Sequence, residues 1–374
     1  MTEGFAVRED HVAGFGVMTS EIHGQTLSTL VHVHEARPET GYDGLMSALV
    51  GPLDAYCDTT VDRIADRSRL VGAMQEELNL AAWRYHTTDE SVYTEMVVQR
   101  PPLPPLQVPR IRAFPHPVHY SAGAEPDLAV PGHDEPPIQG LIEDVGGSIR
   151  AIDWAVRQVW ESPVEAIVEP LSGNWTELER AAEVLTQVGD ALELVAANLT
   201  AQLGRLSEAW QGGAANACED YVTRLGAALE IEGPINRLVG VVLETIAGEV
   251  EQAAEFMVST LKRAVDKIAT AIATGWVPFV GWYKVYDTVR TVINVFQDAK
   301  ALVESINETI ATVEAVIDAA RDPVGFVTDQ AEEVLAPYVE GAVIADDLTS
   351  LDPDALTEAP DDPYSVGANP RRDG

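Results

Sequence analysis

Positive charge is what this sequence has least of. Against 60 acidic residues it carries 24 Lys and Arg, a formal net charge of −36 over 374 residues. A surface that negative repels phosphate backbones and anionic headgroups, so nucleic acid is excluded as a partner. It fits a highly soluble protein, or a host whose proteins are acidic throughout. Cysteine is almost absent: Cys57 and Cys218 are the only two. They lie far apart, so neither a CxxC metal site nor a disulfide framework is on offer. Two small, partly buried thiols are expected instead. The histidines make no site either. His32 and His34 are two apart and diverge on a helix, where a shared metal needs the i, i+4 spacing. His116, His119 and His133 fall in a proline-rich stretch with no rigid partner. There is no Walker loop, GxGxxG, GxSxG elbow or HExxH. The carboxylates are so many that no catalytic pair stands out from a solvated face. The expectation is a non-enzymatic protein, with no catalytic residue, no cofactor and no metal.

What is present is helical periodicity. Apolar residues make up 46% of the chain, enough for a real core, and Ala, Leu, Val and Glu dominate its second half. The expected class is all-α: an N-terminal helical hairpin, a proline-rich linker, then a long antiparallel helical hairpin or bundle with an acidic tail. Residues 1–99 form the first unit. A helix is predicted over about 9–36, an interruption at "RPETGYDG", and a second helix from about Leu45 to Tyr85. Eleven prolines then fall between Pro101 and Pro137, which no helix survives. Residues 100–138 read as an extended spacer, or as a ligand for a groove that takes polyproline segments.

Residues 139–322 are again helix-rich. A first helix is predicted over about 140–161 and a long one over 175–210. The long one buries Leu178, Ala182, Leu185, Val188, Leu192, Val195, Leu199, Leu203, Leu206 and Trp210, every step three or four. The pattern resumes at Cys218, Tyr221 and Leu225. Gly233-Pro234 is expected to kink or break it. "IATAIATGWVPFVGWY" (268–283) carries no charge. It reads as a buried connector, or as a segment touching membrane through Trp276, Phe279 and Trp282. A last helix is predicted over 284–321, and residues 323–374 as an acidic tail, largely disordered.

The turn in "LSEAWQGGAANACEDY" (206–221) sets a large aromatic beside a glycine pair. Trp210 can cover the end of a helix pair, and Gly212 supplies the freedom for the reversal. This "EAWQGGAANACEDYVTRL" turn between two Ala/Leu-rich helices resembles that of the WXG family, helical hairpins exported by type VII (ESX) secretion systems of actinobacteria and related Gram-positive bacteria. The likeness is close over 173–232 and loose over 233–322. Residues 1–99 resemble the EspC-like proteins associated with the same systems. Tyr85-x-x-x-Asp89 is similar to their Tyr-x-x-x-Asp/Glu export motif, and the Tyr42-Asp43-Gly44 turn looks like a degenerate WxG. An aromatic ring and a carboxylate four apart share one helix face, where an apolar pocket beside a basic residue could read them together.

The resemblance implies a secretion substrate or carrier, with the type VII machinery as partner. Tyr85 and Asp89 would be its export signal, Trp210 with Gly212 and Tyr42 with Gly44 its hairpin turns. In typical family members the two motifs sit on separate chains that pack together. Here both lie in one chain, so either a helical-hairpin partner protein or intramolecular pairing is open. The implied location is the cytoplasm before export and the cell surface or exterior after it. The opening residues lack a basic n-region and an apolar h-region, so Sec-type cleavage is not expected. The residues after 322 are too few and too acidic for a packed toxin domain. Two other readings stay open: a membrane-active secreted protein inserting 268–283, and a cytosolic chaperone or scaffold for a neighbouring toxin.

Overall fold

The computed structural model describes residues 6–86, 112–132, 169–274, 281–325 and 357–366. It is an all-α bundle with one minimal sheet. Helix α1 (Glu9–Val33) starts on two acids, Glu9 and Asp10, which favour the positive end of the helix dipole. A 3-10 turn (His34–Ala36) ends it, and a second one (Gly44–Leu49) leads into α2 (Val50–His86). Helix α3 (Trp175–Thr200) is capped by Asn174, whose side chain accepts from the Thr176 amide at 3.2 Å. Then come α4 (Leu203–Ala209), α5 (Gly213–Glu230), α6 (Glu232–Thr274) and α7 (Gly281–Ala320). The strands are β1 (Ala6–Val7) and β2 (Trp210–Gln211), antiparallel, with Val7 opposite Trp210.

Two differences from the sequence reading have physical causes. The predicted helix 175–210 stops at Thr200, restarts at Leu203 and ends at Ala209, leaving Trp210 extended so that its backbone joins β1. The predicted break at Gly233-Pro234 falls earlier, at Ile231. Pro234 lies in the first turn of α6, where a missing N–H has no helical partner to lose. The predicted helix 140–161 lies outside the described residues.

Helix α1 packs on α2, α2 on α7, α7 on α6, α6 on α3, and α3 back on α1. One buried cluster runs through all of them, from Val12 and Phe15 to Val313 and Ile317. The division of the chain at residue 99 is thus not a division of the core. Helices α5 and α6 return along α3 as one broken helix. Gly226 meets α3 at Ala196 and Thr200, and Gly240 meets it at Ala182 and Thr186. Helix α6, at 43 residues, is about 65 Å long and outruns α3, at 26 residues.

Many of the polar groups inside this core are tied into networks. Tyr56 donates to Asn236 Oδ1 (2.9 Å), and Asn236 donates to the Glu232 carbonyl (2.7 Å). The Glu232 carboxylate takes both bonds from Arg63 Nε, at 2.8 and 3.0 Å, and Arg63 also reaches the Arg321 carbonyl. One network therefore ties α2, α6 and the end of α7. At the far end Arg180 bonds Glu177 (3.0 Å) and the Glu35 carbonyl, and His32 Nε2 meets Gln187 Oε1 at 2.7 Å. Both hold α1 to α3.

Removing one partner of a buried ion pair strands the other. Glu232→Ala is therefore expected to lower unfolding free energy by on the order of 3–5 kcal/mol. Arg69→Ala, in a pair with Asp66 that is 55% and 70% exposed, should change it by less than about 0.5 kcal/mol. Denaturant unfolding of both variants checks the contrast.

Candidate protein-interaction site

The site is built at the helix reversal. Ala209 ends α4, and its carbonyl accepts the Arg8 amide at 2.9 Å, just beside the Val7–Trp210 pairing. The indole of Trp210 turns inward and is 1% exposed. Gly212 then takes φ +110 and ψ −179, a backbone that L side chains avoid. Its carbonyl accepts from Ala215 (3.0 Å) and Asn216 (3.1 Å) and so starts α5. The sequence pattern thus has a mechanical reading: the aromatic goes in, the chain reverses at glycine, and small residues follow where α5 must start close.

Against Trp210 lies Tyr85, from the last turn of α2. The rings are 6.1 Å apart at 70°, an edge-to-face contact. Tyr85 is partly buried on the core. The two motif aromatics, far apart in the chain, are neighbours at one end of the bundle. Asp89 lies outside the described residues. The Trp210 Nε1 is buried and meets no acceptor among the described residues. A small cavity of about 100 Å³ opens beside it, lined by Leu203, Leu206, Gln211 and Glu219 among others.

Tyr42 and Gly44 sit at the opposite end. Tyr42 is 8% exposed and donates to the Glu177 carbonyl at 3.3 Å. Gly44 has φ +59, and a Cβ there would collide with the Pro170 carbonyl, which accepts the Leu45 amide at 2.9 Å. This turn locks the start of α3 and keeps its aromatic inward, with Asp43 exposed. Trp276 and Phe279 lie outside the described residues, and Trp282 falls in the first turn of α7. Among the described residues no helix is long and apolar enough to cross a membrane.

Sequence reasoning missed the strap. Residues 112–132 form neither helix nor strand, and they are packed. The Arg112 carbonyl accepts from Trp83 Nε1 (2.8 Å) and Asn79 Nδ2 (3.1 Å), and Phe114 stacks edge-on to Trp83 at 5.0 Å. The strap then crosses α1, where the Val118 amide donates to the Asp10 carbonyl at 2.9 Å. Tyr120, 2% exposed, meets His11 Nδ1 at 2.9 Å, and Arg205 of α4 lies 4.4 Å over its ring. Gln25 and Asn198 hold the Ala124 carbonyl at 3.2 and 2.8 Å. The clue was present: two aromatics, Phe114 and Tyr120, stand among the prolines. The strap is held largely through main-chain carbonyls, those of Arg112, His119, Ala122 and Ala124, none of them a proline's.

Neither cysteine is poised for nucleophilic work. Both are buried, and burial pushes the Cys57 and Cys218 thiols up to about 12. Among the described residues no cluster of three His, Cys, Asp or Glu could hold a metal. The tail also has structure. Within 323–374, residues 357–366 lie on α5, with Tyr364 buried. No protein-family model, curated protein or solved structure matches the chain.

Gly212→Ala forces a side chain into positive φ and should cost about 1–3 kcal/mol. Gly248→Ala, in an open position inside α6, should gain about 0.5–1 kcal/mol. Opposite shifts in denaturation midpoint check the pair. A second outcome concerns pH. Burial first, then Arg8 and Arg205 against Asp10, holds His11 below its ordinary 6.5. Above that value His11 is neutral in both states. Below it the unfolded chain takes up the proton first, so the contribution of His11 is lost as pH falls. The stability difference between the parent and His11→Gln should shrink from about pH 7.5 to about pH 5, measured by denaturation at matched salt.

Proposed function

We propose that this is a non-enzymatic substrate or carrier of a type VII secretion system, with Tyr85 and Asp89 as its export signal. The observation that carries this is the edge-to-face contact of Tyr85 with Trp210 at 6.1 Å. In the resembled family these two motifs lie on partner chains. Here α1 and α2 supply one hairpin, and α3 to α6 the other, against a shared core. Such a chain needs no separate hairpin to bring the aromatics of its two motifs together. The reading rests on these residues and their placement.

The chemistry of recognition follows from the placement. Tyr85 offers part of its ring at the bundle end, and Trp210 behind it fixes its orientation. Asp89 stands four residues after Tyr85, the spacing at which two side chains share a face wherever a helix continues. A receptor with an apolar pocket and a cation beside it matches that pair, and the net charge of −36 would speed encounter with a basic receptor surface.

The test separates signal from fold. Asp89→Ala should reduce secretion to background in a host carrying the machinery, while thermal unfolding of the purified chain is unchanged. Tyr85→Phe should keep both, because the ring contact with Trp210 survives. Full secretion of Asp89→Ala would overturn the assignment.

A further inference from the structure

The C-terminal segment 357–366 is seated on α5 in the manner of a bound peptide. Residues 326–356 separate it from the last described turn of the bundle. Its grip is on the backbone. Arg224 Nη1 donates to the Glu358 carbonyl at 3.0 Å, and the Tyr221 hydroxyl donates to the Asp362 carbonyl at 3.0 Å. Arg224 is held ready by Asp220, four residues back, at 2.9 Å. One side chain is the anchor. Tyr364 is 5% exposed, its ring tilted against Tyr221 at 5.3 Å, and lies against the Cys218 thiol. Backbone bonds for affinity and one pocketed side chain for specificity are how extended peptides are recognised.

The fit is loose where a fold element would be tight. An open cleft of about 730 Å³ lies between the segment and α5, lined by Gly213, Asn216 and Ala217 on one side and Pro360 to Ser365 on the other. The buried Tyr364 hydroxyl faces the Cys218 thiol, a weak partner, and meets no other among the described residues. A segment held by one ring and two carbonyls beside a large gap can leave without opening the core.

We infer that the cleft along α5 is a peptide-binding site for extended acidic segments carrying a Pro-Tyr pair, filled in the resting chain by its own residues 357–366. Arg224 is the cation at the cleft and grips the segment through the Glu358 carbonyl, while Asp361 and Asp362 line the cleft from the segment's side. Tyr364 also lies within electrostatic reach of Tyr85 and Glu77 on α2. Occupancy of the cleft therefore alters what stands beside the bundle end that carries Tyr85. The site exists whether or not the chain is exported.

The thiol under the anchor reports on it. In full-length Tyr364→Ala, Cys218 should react with a thiol reagent at least about tenfold faster than in the parent, since a local opening replaces a covered state. Cys57, 0% exposed between α2 and the core, should stay slow. Excess synthetic peptide spanning 355–368 should restore protection of Cys218, and the same peptide with Tyr364→Ala should not. Unchanged Cys218 reactivity, or no effect of the peptide, overturns the site. Should Cys57 accelerate in parallel, the parent chain is used instead with a photoreactive peptide. Cross-links confined to 213–224 support the site, and their absence or scatter overturns it.

Discussion

The burial of Trp210 is the constraint on which the rest of this bundle depends. An indole at a helix reversal has to go somewhere, and here the chain gives up helical geometry to let it in. Trp210 becomes extended, its backbone bonds to β1, and Gly212 absorbs the reversal at φ +110. That single accommodation fixes three other things. The N-terminus is pinned across the turn, α5 starts close against α4, and the last turn of α2 finds an aromatic to lean on. The Tyr85–Trp210 contact is thus a consequence of how the bundle closes as much as a feature of recognition.

Charge explains the form of the other contacts. With so few cations, three arginines each serve several acceptors. Arg63 joins Glu232 to the Arg321 carbonyl, Arg180 joins Glu177 to the Glu35 carbonyl, and Arg224 joins Asp220 to the Glu358 carbonyl. In each case one acceptor is a carboxylate on or near the same core and the other is a main-chain oxygen from a distant segment. A main-chain oxygen suits an acidic chain as the second acceptor, because it carries no charge and so adds no repulsion.

The helical architecture was legible because it is a property of spacing. Leu178 to Leu199 recur every three or four residues, and each of them is buried in α3. The glycine at 212 and the aromatic at 210 announced a reversal. The strap and the tail were not legible in the same way. Phe114, Tyr120 and Tyr364 stand in stretches whose prolines and acids argue against a core. No period links them to one another. What buries them is the shape of grooves made by helices elsewhere in the chain, which local composition does not encode.

The sequence by itself determined the long helices that frame the bundle and the point at which the long hairpin reverses. It left open whether the two hairpins meet. That was decided by the tertiary structure, because a hairpin's apolar stripe records how much surface must be covered and not what covers it. In this chain α1 covers α3, and α2 brings Tyr85 to Trp210.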